Sequence, residues 1–127
     1  MTLLATSYWS GPPFAFGVAP RADVEPIVVR TADARVLDGL LWAPCSGSSP
    51  KVGVLAMHPR VDFSRHYTFP SLLEAGVTCL GLRSRCLNDD KDCVHEELVY
   101  DVAAGVNVLR ARGVEVVALL GNSGGGS

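Results

Sequence analysis

Charge is scarce in this sequence. Only 19% of its 127 residues are Asp, Glu, Lys or Arg, and the formal net charge is −2. That balance offers no positive field to hold a phosphate backbone or an anionic lipid surface, so neither nucleic acid nor membrane is an expected partner. Long apolar runs are lacking as well; none approaches the ~20 residues needed to cross a bilayer. Met1 to Ser10 contains no basic segment leading into an apolar one, so no secretory signal is indicated and the cytoplasm is the expected location. No lysine follows a glycine-rich loop in the G-x-x-x-x-G-K-[ST] pattern, which sets aside a phosphate cradle. Cysteine is present at Cys45, Cys79, Cys86 and Cys93, but without a repeated close pair. Six residues separate Cys86 from Cys93, with His95 two further on, whereas zinc ligands come in pairs two to four apart with a second cluster elsewhere. No metal and no cofactor is therefore expected, and the four sulfurs read as ordinary thiols in a reducing compartment.

Apolar residues are plentiful, at 48%. A chain this long and this apolar builds one buried core, with strands covered on both faces. Residues 1–25 form an irregular arm, interrupted by Pro12, Pro13 and Pro20, whose Trp9, Phe14 and Phe16 are candidates to cover the core. The folded domain is expected over residues 26–127. Residues 27–30 and 36–42 are β-rich and flank the polar stretch 31–35, as in an antiparallel hairpin, and residues 44–50 make a surface loop. The apolar run 51–57 should end as a strand at His58-Pro59, because proline donates nothing to a ladder. A short helix over 71–75, stopped by Gly76, leads to a second apolar run, 77–82; this is a βαβ unit with parallel strands. Over 96–112, Leu98, Val99, Val102, Ala103, Val106 and Leu109 recur at steps of three and four, which predicts an amphipathic helix ending at Gly113. Asp92 near its start and Arg110 and Arg112 near its end suit its dipole. Residues 114–120, VEVVALL, read as an interior parallel strand. The fold class is α/β: a partial, doubly wound, mainly parallel sheet with a leading β-hairpin.

Gly121-Asn122-Ser123-Gly124-Gly125 follows that strand directly and fits G-x-S-x-G. A serine raised above a sheet by a sharp strand-to-helix turn brings the residues two before and two after it close together, and glycine at Gly121 and Gly125 avoids the collision. The amide after the serine, that of Gly124, then faces a developing oxyanion. By composition alone the pattern arises about 0.1 times in a chain like this, so its position after a strand carries the weight. The competing reading is a Gly/Ser-rich tail.

With these residues the chain resembles the α/β-hydrolase superfamily from Pro26 to Ser127, matching the N-terminal part of that fold. The resemblance implies a serine hydrolase that cleaves a small-molecule carboxylic ester, thioester or amide through an acyl-enzyme. Ser123 would be the nucleophile, and Gly124 one oxyanion donor. His58-Pro59-Arg60 would stand where the family has an H-G-x turn, and since Pro59 has no N–H the second donor would be the Arg60 amide. Gly81-Leu82-Arg83-Ser84-Arg85 would match the family's D-x-R-G-x-G segment, keeping the arginine and losing the later glycines. The family orders its triad Ser, Asp or Glu, then His, yet His58, His66 and His95 all precede Ser123. The expectation is thus a truncated and inactive form, whose uncovered strand edge invites oligomers. The alternative is a non-catalytic fragment folded with a partner; an unorthodox His58–Ser123 dyad is a third option. Arg83 and Arg85 read as a solvated rim, and residues 88–92 as a solvated acidic loop.

Overall fold

A computed structural model describes residues 22–45, 51–87 and 91–121. Trp9, Phe14 and Phe16 of the expected arm, and the first three residues of the acidic stretch at 88–92, lie outside the described residues. Five strands make one sheet: β1 (Ala22–Arg30), β2 (Val36–Pro44), β3 (Val52–Ala56), β4 (Thr78–Leu82) and β5 (Val116–Leu120). Helix α1 (Phe69–Glu74) connects β3 to β4, and α2 (Leu98–Ala111), entered through a single 3-10 turn at His95–Glu97, connects β4 to β5. The spatial order is β1-β2-β4-β3-β5. β1 and β2 run antiparallel, β2 meets β4 antiparallel, and β3 is parallel to both β4 and β5. The expected α/β class, leading hairpin and parallel βαβ units are all present.

The hairpin is longer than its apolar residues announce. β1 begins at Ala22, and all nine of its residues pair with β2, from Ala22 opposite Pro44 to Arg30 opposite Val36. Pro26 is tolerated within it because β1 is, among the described residues, the last strand on its side of the sheet, where a missing donor costs least. In the turn, the Thr31 hydroxyl accepts the Arg35 N–H at 2.9 Å and donates to the Asp33 carboxylate, while Ala34 takes a left-handed φ of 68°. Gly76 and Gly113, at φ +85° and +90°, stop the two helices as their positions predict.

The core divides across the sheet. On one side Leu55, Leu80, Leu82, Leu109 and Val114 pack together; on the other, Trp42, Phe63, Phe69 and Leu73 do. α2 buries only part of the stripe its periodicity predicts: Leu109 is buried and Val102 and Val106 pack against the core. Asp101, Ala104, Gly105 and Leu109 are its buried residues, whereas Val99 is 62% exposed. Two facts turn the helix. A Cβ on Gly105 would lie 2.8 Å from the Leu55 methyls, so glycine at this position permits the close approach. Asp101, fully buried, is drawn inward by Arg85.

Arg85 is accordingly not on a solvated rim: its side chain is 3% exposed. Its backbone N–H and its Nε each donate to the Asp101 carboxylate at 2.8 Å, and its remaining nitrogens reach Asp33 in the hairpin turn and Glu97 at the entry to α2. Arg85 in turn holds the Asp33 carboxyl well below the ordinary carboxylate range, with help from the Thr31 hydroxyl. Arg83 is half-exposed and bridges Asp38 and Asp62.

The cysteines also depart from expectation. Cys86 and Cys93 form a disulfide across the β4–α2 connection. Both sulfurs that a metal reading with His95 required are thereby used, and the thiol argument for a reducing compartment falls away. Cys79 keeps its thiol, buried in β4 and pushed up to about 12 by desolvation.

Two outcomes follow for stability. Asp101→Ala leaves a guanidinium buried with its one fully buried partner gone and should lower unfolding stability by about 3 kcal/mol in urea titrations; Asp101→Leu combined with Arg85→Met should recover part of that loss. Reducing the disulfide, which closes a loop over a separation of 7 residues, should remove about 2.5 kcal/mol by the loop-closure relation, read in the same titration with and without a dithiol.

Candidate active site

Because β4, β3 and β5 lie side by side and parallel, their carboxyl ends emerge along one edge of the sheet, the usual location of ligand sites in open α/β sheets. Three segments meet there: His58-Pro59-Arg60 after β3, Arg83-Ser84-Arg85 after β4, and Gly121 after β5. The Met57 N–H donates to the Leu120 carbonyl at 3.4 Å, which carries the β3–β5 pairing one residue beyond the strand and sets the His58 turn next to Gly121.

The turn is held by its own histidine. His58 Nδ1 accepts the backbone N–H of Arg60 at 3.0 Å and that of Val61 at 3.1 Å. A ring nitrogen that accepts two amides carries no proton, so in the neutral imidazole the hydrogen sits on Nε2. Desolvation first, and then the charge of Arg60, push the His58 pKa down. Nδ1 is thus unavailable to take a proton from a nucleophile, which disfavours the His58–Ser123 dyad on the His58 side. Around the turn, Asp62 accepts the Ser64 N–H at 2.8 Å and the Arg83 Nε at 3.1 Å, and Trp42 Nε1 donates to the Ser64 carbonyl at 2.9 Å. Gly81 is needed beneath this loop: a Cβ there would sit 2.2 Å from the Phe63 carbonyl oxygen. His66 is buried among Phe63, Tyr67 and Phe69, with Nδ1 2.8 Å from the Thr68 hydroxyl, and His95 is exposed in the 3-10 turn.

Of the predicted site residues, the structure brings Arg60 and Gly121 to the same edge of the sheet. Ser123, Gly124 and Gly125 lie outside the described residues. The sequence reading missed Ser84, whose hydroxyl joins the β4 segment to the β3 turn by donating to the Pro59 carbonyl at 2.9 Å. Nothing in an R-S-R tripeptide distinguishes a buried strut from a surface serine. Beside Gly121 an apolar groove of about 390 Å³ runs between α2 and β5, lined by Leu55, Met57, Val99, Val102, Leu119 and Leu120 among others. The half of the α2 stripe that is not buried against the sheet faces this groove. Among the described residues no helix is long and apolar enough to cross a membrane.

The histidines predict a pH response. His58 and His66 both have pKa values lowered by burial, so the unfolded chain binds their protons more readily than the native one. Their contribution to stability is complete above about pH 6.5, the unperturbed value, and is lost as pH falls through the lower native values. Urea midpoints measured from pH 7.5 to pH 5 should decline across that window, and His58→Gln should make the decline shallower.

No family model matches the chain, and no curated protein matches it. Among solved structures it is similar to an esterase of Pyrococcus furiosus, at 18% identity with a TM-score of 0.66, over 82% of this chain and 42% of that one. It is also similar to brefeldin A esterase, a bacterial homologue of human hormone-sensitive lipase, at 15% identity with a TM-score of 0.68, over 84% of this chain and 33% of that one. A fungal esterase from Rhizomucor miehei matches at 19% identity with a TM-score of 0.58, over 84% of this chain and 36% of that one. The chain therefore spans less than half the length of these three enzymes, and the fold it shares with them is the N-terminal half of the α/β-hydrolase fold.

Proposed function

We propose that this chain is the nucleophile-bearing part of a serine hydrolase acting on a small-molecule carboxylic ester, thioester or amide. The observation that carries this reading is the side-by-side ending of β4, β3 and β5, with Gly121-x-Ser123-x-Gly125 directly after β5. Ser123 attacks the acyl carbon. The Gly124 amide binds the oxyanion, and the Arg60 amide is the second donor, sharing its hydrogen between His58 Nδ1 and the oxyanion in a three-centre bond. His58 Nδ1 is already engaged by two amides, so the base that receives the serine proton is another histidine, oriented by a carboxylate, both following Ser123 in the longer protein.

A specific observation favours the alternative of a non-catalytic fragment that folds or assembles with a partner: Val116 and Leu119 of β5 are 59% and 63% exposed. A fluorophosphonate probe separates the two readings. The 127-residue chain should remain unlabelled, and a version extended by its downstream coding sequence should be labelled at Ser123. Undiminished labelling or esterase activity of the extended form after Ser123→Ala would remove the hydrolase proposal and leave the partner-dependent fragment.

A further inference from the structure

The peptide group between Pro59 and Arg60 is gripped at both ends. Its N–H donates to His58 Nδ1 at 3.0 Å, from within the turn. Its carbonyl accepts the Ser84 hydroxyl at 2.9 Å, from across the sheet edge, and this bond is buried. In a trans peptide the C=O and N–H bonds point in opposite directions, so fixing the carbonyl fixes the N–H. Ser84 is itself held firmly. Its hydroxyl oxygen accepts the Cys86 N–H at 3.1 Å, and its neighbours are tied down on both sides. The Arg83 N–H donates to the Asp38 carbonyl at 2.9 Å, and Arg85 sits in its carboxylate cluster. The hydroxyl is 6% exposed with its residue, leaving little water to replace it on the Pro59 carbonyl.

We propose that Ser84 is a positioning residue for the turn after β3. Its hydroxyl sets the plane of the Pro59–Arg60 peptide and so aims the Arg60 amide, while His58 holds the other end. The inference rests on the functional reading only for what that amide finally serves; the clamp itself is a property of the turn. Removing the hydroxyl leaves a buried carbonyl and the Cys86 N–H without their partner, and the peptide loses the hold on its carbonyl end.

Two variants, Ser84→Ala and Ser84→Thr, test this by amide hydrogen exchange and by long-range proton–nitrogen spectra of the His58 ring. In the parent chain, Arg60 and Val61 should exchange slowly and Nδ1 should give the signal of an unprotonated acceptor. Ser84→Ala should speed exchange at Arg60 and Val61 by about tenfold, the size expected of one hydrogen bond, and mix the two ring tautomers, with α2 and β4 amides unchanged. Ser84→Thr, which keeps the hydroxyl, should restore both readouts. Parent-like exchange and an unmixed tautomer in Ser84→Ala would overturn the proposal. So would a threonine variant as perturbed as the alanine one, since packing and not the hydroxyl would then be responsible. Should Ser84→Ala unfold, exchange would rise at every amide, and retention of the parent spectrum by Ser84→Thr alone would still support the clamp. Fluorophosphonate labelling of the extended chain is the second arm, where Ser84→Ala should label about tenfold more slowly. If no extended version labels at all, the hydrolase reading fails while the exchange result still decides the role of Ser84.

Discussion

The guanidinium of Arg85 is the point on which this fold turns. It follows β4, yet its partners come from the hairpin turn, through Asp33, and from α2 and its entry, through Asp101 and Glu97. A buried charge with a partner removed is far costlier than either residue's own packing, so the three elements are obliged to meet. This obligation sets the rotation of α2, which in turn places Gly105 against Leu55 and leaves Val99 outside. It also fixes the chain on either side of Arg85, including Ser84 and the half-cystine Cys86.

What could be read from the sequence was whatever depended on neighbours along the chain. The strands β3, β4 and β5 and the stops at Gly76 and Gly113 follow from apolar runs and from the conformational freedom of glycine, all of them local signals. The residues that define the candidate site were less legible. Arg85 finds Asp33 at a sequence separation of 52 and Asp101 at 16, and in one dimension such an arginine is indistinguishable from a solvated one. Asp101 lies in an otherwise apolar stretch of the α2 sequence, and periodicity counts it as an interruption when it is, like Leu109, fully buried. The Cys86–Cys93 bond was hidden by a spacing uninformative for metals and equally uninformative for disulfides. Ser123, with its flanking glycines, remains a reading of the sequence alone, supported by the strand that precedes it.

The turn after β3 shows how a proline can be built into a tight connection. Pro59 removes one backbone donor from the turn and restricts its backbone. In compensation the carbonyl of that same proline becomes the acceptor for Ser84, and the histidine before it collects the next two amides. The turn is thereby determined by side chains from two connections instead of by glycine's freedom.

The two flanks of the described sheet differ in character. β1 carries Asp23, Glu25, Arg30 and the mid-strand Pro26, a set of residues that discourages further ladder formation. β5 reads VVALL, with no charge and no proline. Recruitment of another strand is thus directional: the hairpin flank acts as a terminus, and growth of the sheet, whether by the same polypeptide or by another, is favoured from the opposite side.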